Sequence, residues 1–324
     1  MNKELHNNSK IYVAGHKGLV GSAIVRKLQT KGFDNLLLRT HHELELTDQN
    51  AVKEFFETEK PEFVILAAAR VGGIYANNTY PADFIFQNMA IQTNVINESK
   101  VSGVKRLLFL GSSCIYPRDC PQPIKEEYLL SGPLEATNRP YAIAKISGIE
   151  MCWSYNRQYD TQYMAVMPTN VYGPEDNYDL ETSHVVPALI RKFHEAKIKN
   201  ENSVGVWGTG EPRREFIHSK DLADACMHLL SQTEDILKSS FLNSDSVPLI
   251  NIGCGTDQTI SELAYIIKNV TGFEGDIRWD TSKPDGTPQK LLDVSRMSEL
   301  GWDAKINLKD GIAQTYENYV LSLK

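Results

Sequence analysis

Through its first half the chain alternates short, unbroken apolar runs with longer stretches of helical spacing. Residues 10–14 are an apolar run that ends at glycine. Leu19, Val20, Ala23, Ile24 and Leu28 then recur on one helix face, which predicts a strand followed by a helix over residues 19–30. The pattern repeats, with strands over residues 35–40, 63–69, 106–110 and 164–167 and helices over 51–59, 84–100 and 141–159. Runs such as Phe63-Val64-Ile65-Leu66 show no polar alternation, so they predict strands buried on both faces. Buried strands alternating with helices imply an α/β fold with a Rossmann-type doubly wound parallel sheet.

After about Pro168 the segments shorten. Pro, Gly and Asn punctuate them at Tyr172-Gly173-Pro174, Gly208-Thr209-Gly210 and Lys283-Pro284-Asp285-Gly286. This predicts residues 1–170 as the dinucleotide-binding domain, with a return of the chain near 218–245, and residues 171–324 as mainly a smaller C-terminal α/β lobe for substrate.

Composition narrows the setting. With 41% hydrophobic and 23% charged residues the chain is ordinary globular material. A net charge of -7 gives no electrostatic reason to expect nucleic acid or an anionic membrane as partner. No apolar run approaches the ~18 residues of a membrane span, and Met1 to His6 lack the apolar core of a signal peptide. The cysteines, Cys114, Cys120, Cys152, Cys226 and Cys254, are odd in number and show no C-x-x-C spacing. They read as reduced thiols in a cytoplasm, with no metal site.

The first candidate chemistry is the loop Gly15-His16-Lys17-Gly18-Leu19-Val20-Gly21, between a strand and a helix. Gly15 permits a tight turn, Gly18 lets the backbone approach a pyrophosphate, and Gly21 allows close helix–strand packing. The N–H groups where Leu19 and Val20 open the helix face the phosphates. No acidic residue ends the second strand before Glu43; Lys17, Arg39, His41 and His42 stand there instead. These cations favour the 2′-phosphate of NADP over the ribose hydroxyl of NAD, the other reading being a solvated basic turn.

Tyr141 and Lys145, spaced i, i+4 near the start of a helix, share one face. A lysine ammonium beside the phenol is expected to lower the tyrosine pKa and make Tyr141 a proton donor to a carbonyl oxygen. The strand at 106–110 runs into Gly111-Ser112-Ser113-Cys114, which places Ser112 beyond the carboxyl end of a parallel strand, where ligands bind. Ser112 can hydrogen-bond the same oxygen.

The glycine loop, strand-end serine and Tyr–Lys pair together resemble the extended short-chain dehydrogenase/reductases that act on nucleotide sugars. Pro168-Thr169-Asn170-Val171-Tyr172-Gly173-Pro174, Arg213-Arg214-Glu215-Phe216-Ile217-His218 and Asn251-Ile252-Gly253 extend the likeness. Within that family, Ala67 to Ile74, Asn77 to Phe84, Gly111 to Pro117, Ser183 to Leu189 and Lys283 to Pro288 resemble the GDP-L-fucose synthases. The resemblance implies an NADPH-dependent 3,5-epimerase and 4-reductase acting on a GDP-linked 4-keto sugar, GDP-4-keto-6-deoxy-D-mannose. It assigns proton transfer at C3 and C5 to Cys114 and His184. It places Thr169 and Asn170 near the nicotinamide and gives substrate contacts to Lys192, Trp207, Arg214 and Lys283. It also implies a homodimer through the helices at 84–100 and 141–159. Related enzymes carry arginine where this chain has Lys17, His41 and Lys192; lysine keeps the charge without the fork geometry. Two other readings stand beside this one. The first is a C4 reductase of a related GDP-4-keto sugar, a 6-deoxy-heptose or 3,6-dideoxy sugar, with little epimerisation. The second is a dinucleotide-binding regulator without turnover.

Overall fold

Ile11–Ala14 (β1) opens the fold as a strand with no exposed residue, and its turn feeds the helix Leu19–Thr30 (α1). Leu36–Leu37 (β2), Gln49–Glu59 (α2), Phe63–Leu66 (β3), Ile74–Thr79 (α3), Pro81–Val101 (α4), Arg106–Leu110 (β4), Arg139–Tyr159 (α5) and Tyr163–Pro168 (β5) follow. The second half contains Asn170–Tyr172 (β6), Val185–Ile198 (α6), Ser203–Trp207 (β7), Arg213–His218 (β8), Ser219–Leu230 (α7), Glu234–Ser240 (α8) and Leu249–Ile252 (β9). Asp257–Thr259 (β10), Ile260–Thr271 (α9), Asp276–Asp280 (β11), Gln289–Lys290 (β12), Ser295–Glu299 (α10) and Leu308–Ser322 (α11) complete it. This computed structural model describes residues 4–180, 182–240, 242, 247–283 and 285–323. Residues 1–3, positions 241 and 243–245 of the predicted return, and Pro284 of the proline–glycine turn lie outside the described residues.

A parallel sheet of order β2-β1-β3-β4-β5-β9 forms the centre. Alternate side chains of each strand enter different cores. Tyr12, Val64, Leu107 and Phe109 pack with Phe56 of α2, Val95 of α4 and Ile149 of α5. Ile11, Val13, Ile65 and Leu108 pack with Ile24 of α1 and Leu222 and Leu229 of α7. Helices on both faces explain the lack of polar alternation in the strand runs. Strand order reverses between β1 and β3, and the crevice beyond their carboxyl ends is where such sheets bind ligands.

Two details depart from the sequence pattern. The second strand spans only Leu36–Leu37, because it lies at the sheet edge and pairs with β1 alone. The sixth strand, β9, comes from the second half of the chain, beyond the predicted return, and pairs with β5 from Ala165↔Leu249 to Pro168↔Ile252. A third core gathers Val186, Ile190 and Phe193 of α6, Leu263 and Ile267 of α9, Ile312 and Tyr319 of α11, and Phe216 of β8. Around it lie the small sheets β10-β8-β12, with β6 beside β8, and β11-β7.

Arg106, fully buried at the start of β4, is compatible with this interior because of its hydrogen bonds. It donates to Gln162 Oε1 at 2.8 Å and to the carbonyls of Leu230 at 2.8 Å and Gln232 at 2.7 Å. It thereby satisfies carbonyls at the end of α7 that the helix leaves free.

Candidate active site

The phosphate loop has the geometry its glycines require. Gly15 takes φ +83°, and a Cβ there would lie 2.7 Å from the Ala68 amide nitrogen. A Cβ on Gly21 would run into the Gly15 carbonyl, whereas one on Gly18 would meet nothing nearer than that carbonyl at 3.6 Å. Gly18 is the N-cap of α1, with no side-chain cap hydrogen bond and no acidic residue in the first turn. The α1 N-terminus, opened by Leu19 and Val20, is therefore a positive dipole end with no side-chain cap among the described residues, and it fits a pyrophosphate.

Around the second strand the predicted cations are only partly gathered. Lys17 and Arg39 both act on Glu43, whose carboxylate accepts from Thr40 N at 2.7 Å and Thr40 Oγ1 at 2.8 Å, holding it below the usual range. The Arg39 guanidinium also pairs with Glu59 at 2.6 Å and lies 5.6 Å from the Phe55 ring centroid. His41 is not drawn into the group; it pairs with Glu45 at 2.6 Å on the surface.

The catalytic candidates converge where β4 ends. Gly111 N donates to Val166 O at 2.9 Å, and a Cβ on Gly111 would overlap the Met167 side chain. Ser112 caps a single 3-10 turn, Ser113–Ile115, its Oγ accepting from Cys114 N at 3.4 Å. The Ser112 side chain also acts on the Tyr141 phenol and the Cys114 thiol, favouring the ionised form of each. Tyr141 and Lys145 lie one turn apart on α5, the Tyr141 ring edge-on to Phe84 at 6.3 Å.

The expected lowering of the Tyr141 pKa by Lys145 is corrected by this geometry. Burial pushes the phenol well above its ordinary value, the Cys114 thiol adds to the rise, and only the Ser112 side chain opposes it. Lys145 Nζ donates instead to the Leu110 carbonyl at 2.8 Å and lies 4.7 Å from the Phe109 ring centroid. Burial lowers the lysine to about 8, so it still carries its proton at neutral pH.

Burial also raises the Cys114 thiol, opposed by Lys290, Ser112 and Lys145. His184, the N-cap of α6, keeps a path to solvent but is crowded by protein, and this lost hydration holds it below the ordinary histidine value. At neutral pH the Cys114 thiol is thus protonated and the His184 imidazole neutral.

Thr169 and Asn170 follow β5 and are both tied to the Glu215 carbonyl, at 3.1 Å from Oγ1 and 2.8 Å from Nδ2. In the C-terminal half, Trp207 is 65% exposed, so it is a surface platform and not part of the core. The ammonium groups of Lys192 and Lys283 lie 5.6 Å and 5.5 Å from its ring centroid. Arg214 is set beside this platform by the 285–286 loop: Asp285 acts on it electrostatically and also accepts from Thr209 N at 2.9 Å.

One residue that the sequence reading passes over is Lys290. On β12 it pairs with Arg214 and interacts with Cys114, linking the substrate lobe to the reacting groups. Its only sequence signal is the lysine that closes the Lys283 to Lys290 stretch, and the β8–β12 pairing that brings it in spans over seventy residues of chain. Among the described residues no group of three or more acidic, histidine or cysteine side chains could hold a metal ion. Among the same residues, no helix is long and apolar enough to cross a membrane.

An open helix N-terminus at a sheet switch point, a Ser–Tyr–Lys group at the next strand end and a shared thiol fit nucleotide-sugar chemistry on a dinucleotide. The profile of the NAD dependent epimerase/dehydratase family matches residues 11–243. The chain belongs to this family. It is 59% identical to a putative GDP-L-fucose synthase 2 of Arabidopsis thaliana, over 98% of this chain and 93% of that one. It is 52% identical to GDP-L-fucose synthase of Escherichia coli K12, over 96% of each. A GDP-mannoheptose C4 reductase from Campylobacter jejuni, solved with NADP bound, superposes with a TM-score of 0.89 at 44% identity, covering 98% of this chain and 99% of that one.

Proposed function

We propose that this enzyme converts GDP-4-keto-6-deoxy-D-mannose to GDP-L-fucose by 3,5-epimerisation followed by NADPH-dependent reduction at C4. The observation that carries this reading is Ser112, whose hydroxyl caps the Cys114 turn and whose side chain acts on both the Tyr141 phenol and the Cys114 thiol. The proton donor for a reduction and a proton carrier for an epimerisation therefore share one neighbour, and a single ketone oxygen seated there serves both half-reactions.

In the epimerisation, Ser112 and Tyr141 hydrogen-bond the C4 oxygen and stabilise the enolate that forms when a proton leaves C3 or C5. Cys114 and His184 are the acid–base pair on opposite faces. Their protonation in the resting site makes the neutral imidazole the ready base and the thiol the ready acid. In the reduction, bound NADPH supplies the hydride. Tyr141 gives its proton to the oxygen as hydride reaches C4, and a raised phenol pKa keeps that proton in place until charge develops. Lys145 lies one helical turn away, where its ammonium stabilises the phenolate left behind.

The α1 N-terminus would hold the cofactor pyrophosphate, Lys17 and Arg39 would meet its 2′-phosphate, and Thr169 and Asn170 would hold its nicotinamide end. Lys192, Trp207, Arg214 and Lys283 hold the GDP moiety, two ammonium groups and a guanidinium facing the diphosphate and the indole a base. Residues 1–170, with the return through β9, form the cofactor domain, and the remainder is the substrate lobe. The protein works in the cytoplasm as a homodimer through α4 and α5, where Phe86 is 68% and Ile143 38% exposed.

The test is incubation with GDP-4-keto-6-deoxy-D-mannose in D₂O, with and without NADPH, followed by NMR of the sugar. Deuterium at C3 and C5, with NADPH-dependent GDP-L-fucose, is expected. Reduction at C4 without exchange would identify a plain reductase and reduce Cys114 and His184 to binding roles.

A further inference from the structure

The Cys114 turn is fixed from behind by a buried polar cluster that takes no part in the chemistry above. Tyr116, immediately after the turn, is 3% exposed and donates its hydroxyl to Asn251 Oδ1 at 2.6 Å. Asn251, on β9, has no exposed surface. Its Nδ2 donates to the carbonyls of Ile124 at 2.9 Å and Asp293 at 3.1 Å, and its main-chain N–H donates to Glu126 Oε1 at 2.9 Å. Only an amide meets this set, because one end of the side chain must accept while the other donates twice.

The two carbonyls belong to residues 291–293, just beyond Lys290, and to the 122–124 segment that pairs with them. Ile124 N donates to Leu291 O at 2.7 Å, Asp293 N donates to Ile124 O at 2.8 Å, and Gln122 Oε1 accepts from Leu291 N at 2.8 Å. On its other side Lys290 is anchored by β12 pairing with β8, and Leu292 N donates to Glu215 Oε2 at 3.0 Å. One amide side chain thus joins the residue after the Cys114 turn to the strand that presents the lysine.

We propose that the Tyr116–Asn251 hydrogen bond is a positioning strut that fixes the Cys114 turn relative to the strand carrying Lys290, and so sets how readily Cys114 exchanges its proton. The inference rests on the epimerase reading of the site and names two positioning residues for it. The groups facing Cys114 are Ser112, Tyr141, Lys145 and Lys290; those facing Lys290 are Cys114, Cys120, Arg214 and Glu135. Lys290 is the nearest thing to a dedicated counter-ion for the thiolate, because the Lys145 ammonium is bonded to Leu110. A thiolate formed on either half of an epimerisation cycle is stabilised only while that geometry is kept.

The experiment follows the thiol directly. The rate of Cys114 alkylation by iodoacetamide is measured against pH by mass spectrometry in the full-length protein, Tyr116→Phe, Lys290→Met and the double variant. Lys290→Met is expected to move the midpoint up by about one pH unit, about tenfold slower alkylation at a fixed pH below it. Tyr116→Phe is expected to slow it severalfold in the same direction, and the double variant to be no slower than Lys290→Met alone, the signature of a shared pathway. Asn251→Ser cuts the same strut from the other side and carries the test if Tyr116→Phe does not fold. A wild-type alkylation profile in folded Tyr116→Phe or Asn251→Ser, or in Lys290→Met, overturns the proposal. Alkylation requires no sugar, so failure of the epimerase reading shows separately, as absent C3 and C5 exchange in the wild-type protein.

Discussion

Lys145 donates its ammonium to the main-chain carbonyl of Leu110 at 2.8 Å, tying the helix that carries Tyr141 to the last residue of the strand that leads into Ser112. The bond sets the phenol and the serine hydroxyl on one side of the sheet end and keeps a positive charge one turn from the tyrosine. Lys145→Met should therefore lower kcat for C4 reduction by about 10²- to 10⁴-fold, the range of general acid–base assistance, measured as NADPH oxidation.

The same substitution has a signed effect on stability. Burial lowers Lys145 to about 8, so between that pH and its unfolded value near 10.4 the unfolded chain binds more protons and stability rises with pH. The burial penalty is fully present below pH 8. Lys145→Met removes it, by at most about 3 kcal/mol, less the lost Leu110 hydrogen bond. Urea titrations should show the variant gaining most at pH 7 and losing that advantage by pH 10.5. A gain independent of pH would sink the explanation.

His184 and Cys114 predict the pH profile of C3 and C5 exchange. The imidazole is neutral down to below the ordinary histidine value, and the thiol stays protonated to above the ordinary cysteine value. Exchange in D₂O should form a plateau that falls on the acid side below about pH 6.5 and on the alkaline side above about pH 8.5. His184→Gln should abolish the acid limb and lower the plateau at least about 100-fold.

The three loop glycines should separate folding from cofactor binding. Gly21→Ala places a methyl group against the Gly15 carbonyl and is expected to cost about 1–3 kcal/mol or more of stability. Gly18→Ala meets nothing closer than 3.6 Å at an ordinary φ, so its melting temperature should stay near wild type while NADPH affinity falls. Thermal melts paired with NADPH fluorescence titration check both.

Arg106 bridges Gln162 and the end of α7 through three hydrogen bonds. Arg106→Leu should destabilise by about 3 kcal/mol through the orphaned buried carbonyls. The part that still folds should keep its kcat, because the residue lies at the opposite end of β4 from Ser112.

An exposed aromatic on α4 tests assembly. If the proposed dimer forms through α4 and α5, the wild-type protein should sediment as a dimer at micromolar concentration and Phe86→Glu as a folded monomer.

The sequence by itself determined the first half of the sheet. Unbroken apolar runs can only be strands buried on both faces, and the loop glycines sit where a tight turn and a close helix approach leave no room for Cβ. Ser112, Tyr141 and Lys145 were legible for the same local reason, being fixed by a strand end and a one-turn helix spacing. What Lys145 does with its ammonium was not legible, since the Leu110 carbonyl is thirty-five residues away and burial reverses the expected direction of the Tyr141 shift. Nor was the company of Cys114. Lys290 reaches it through strand pairing with Arg214, and Asn251 reaches Tyr116 across 135 residues. Local propensity and spacing act over a few residues, whereas desolvation and ion pairing depend on which distant segments the fold packs together, so those were decided only by the tertiary structure.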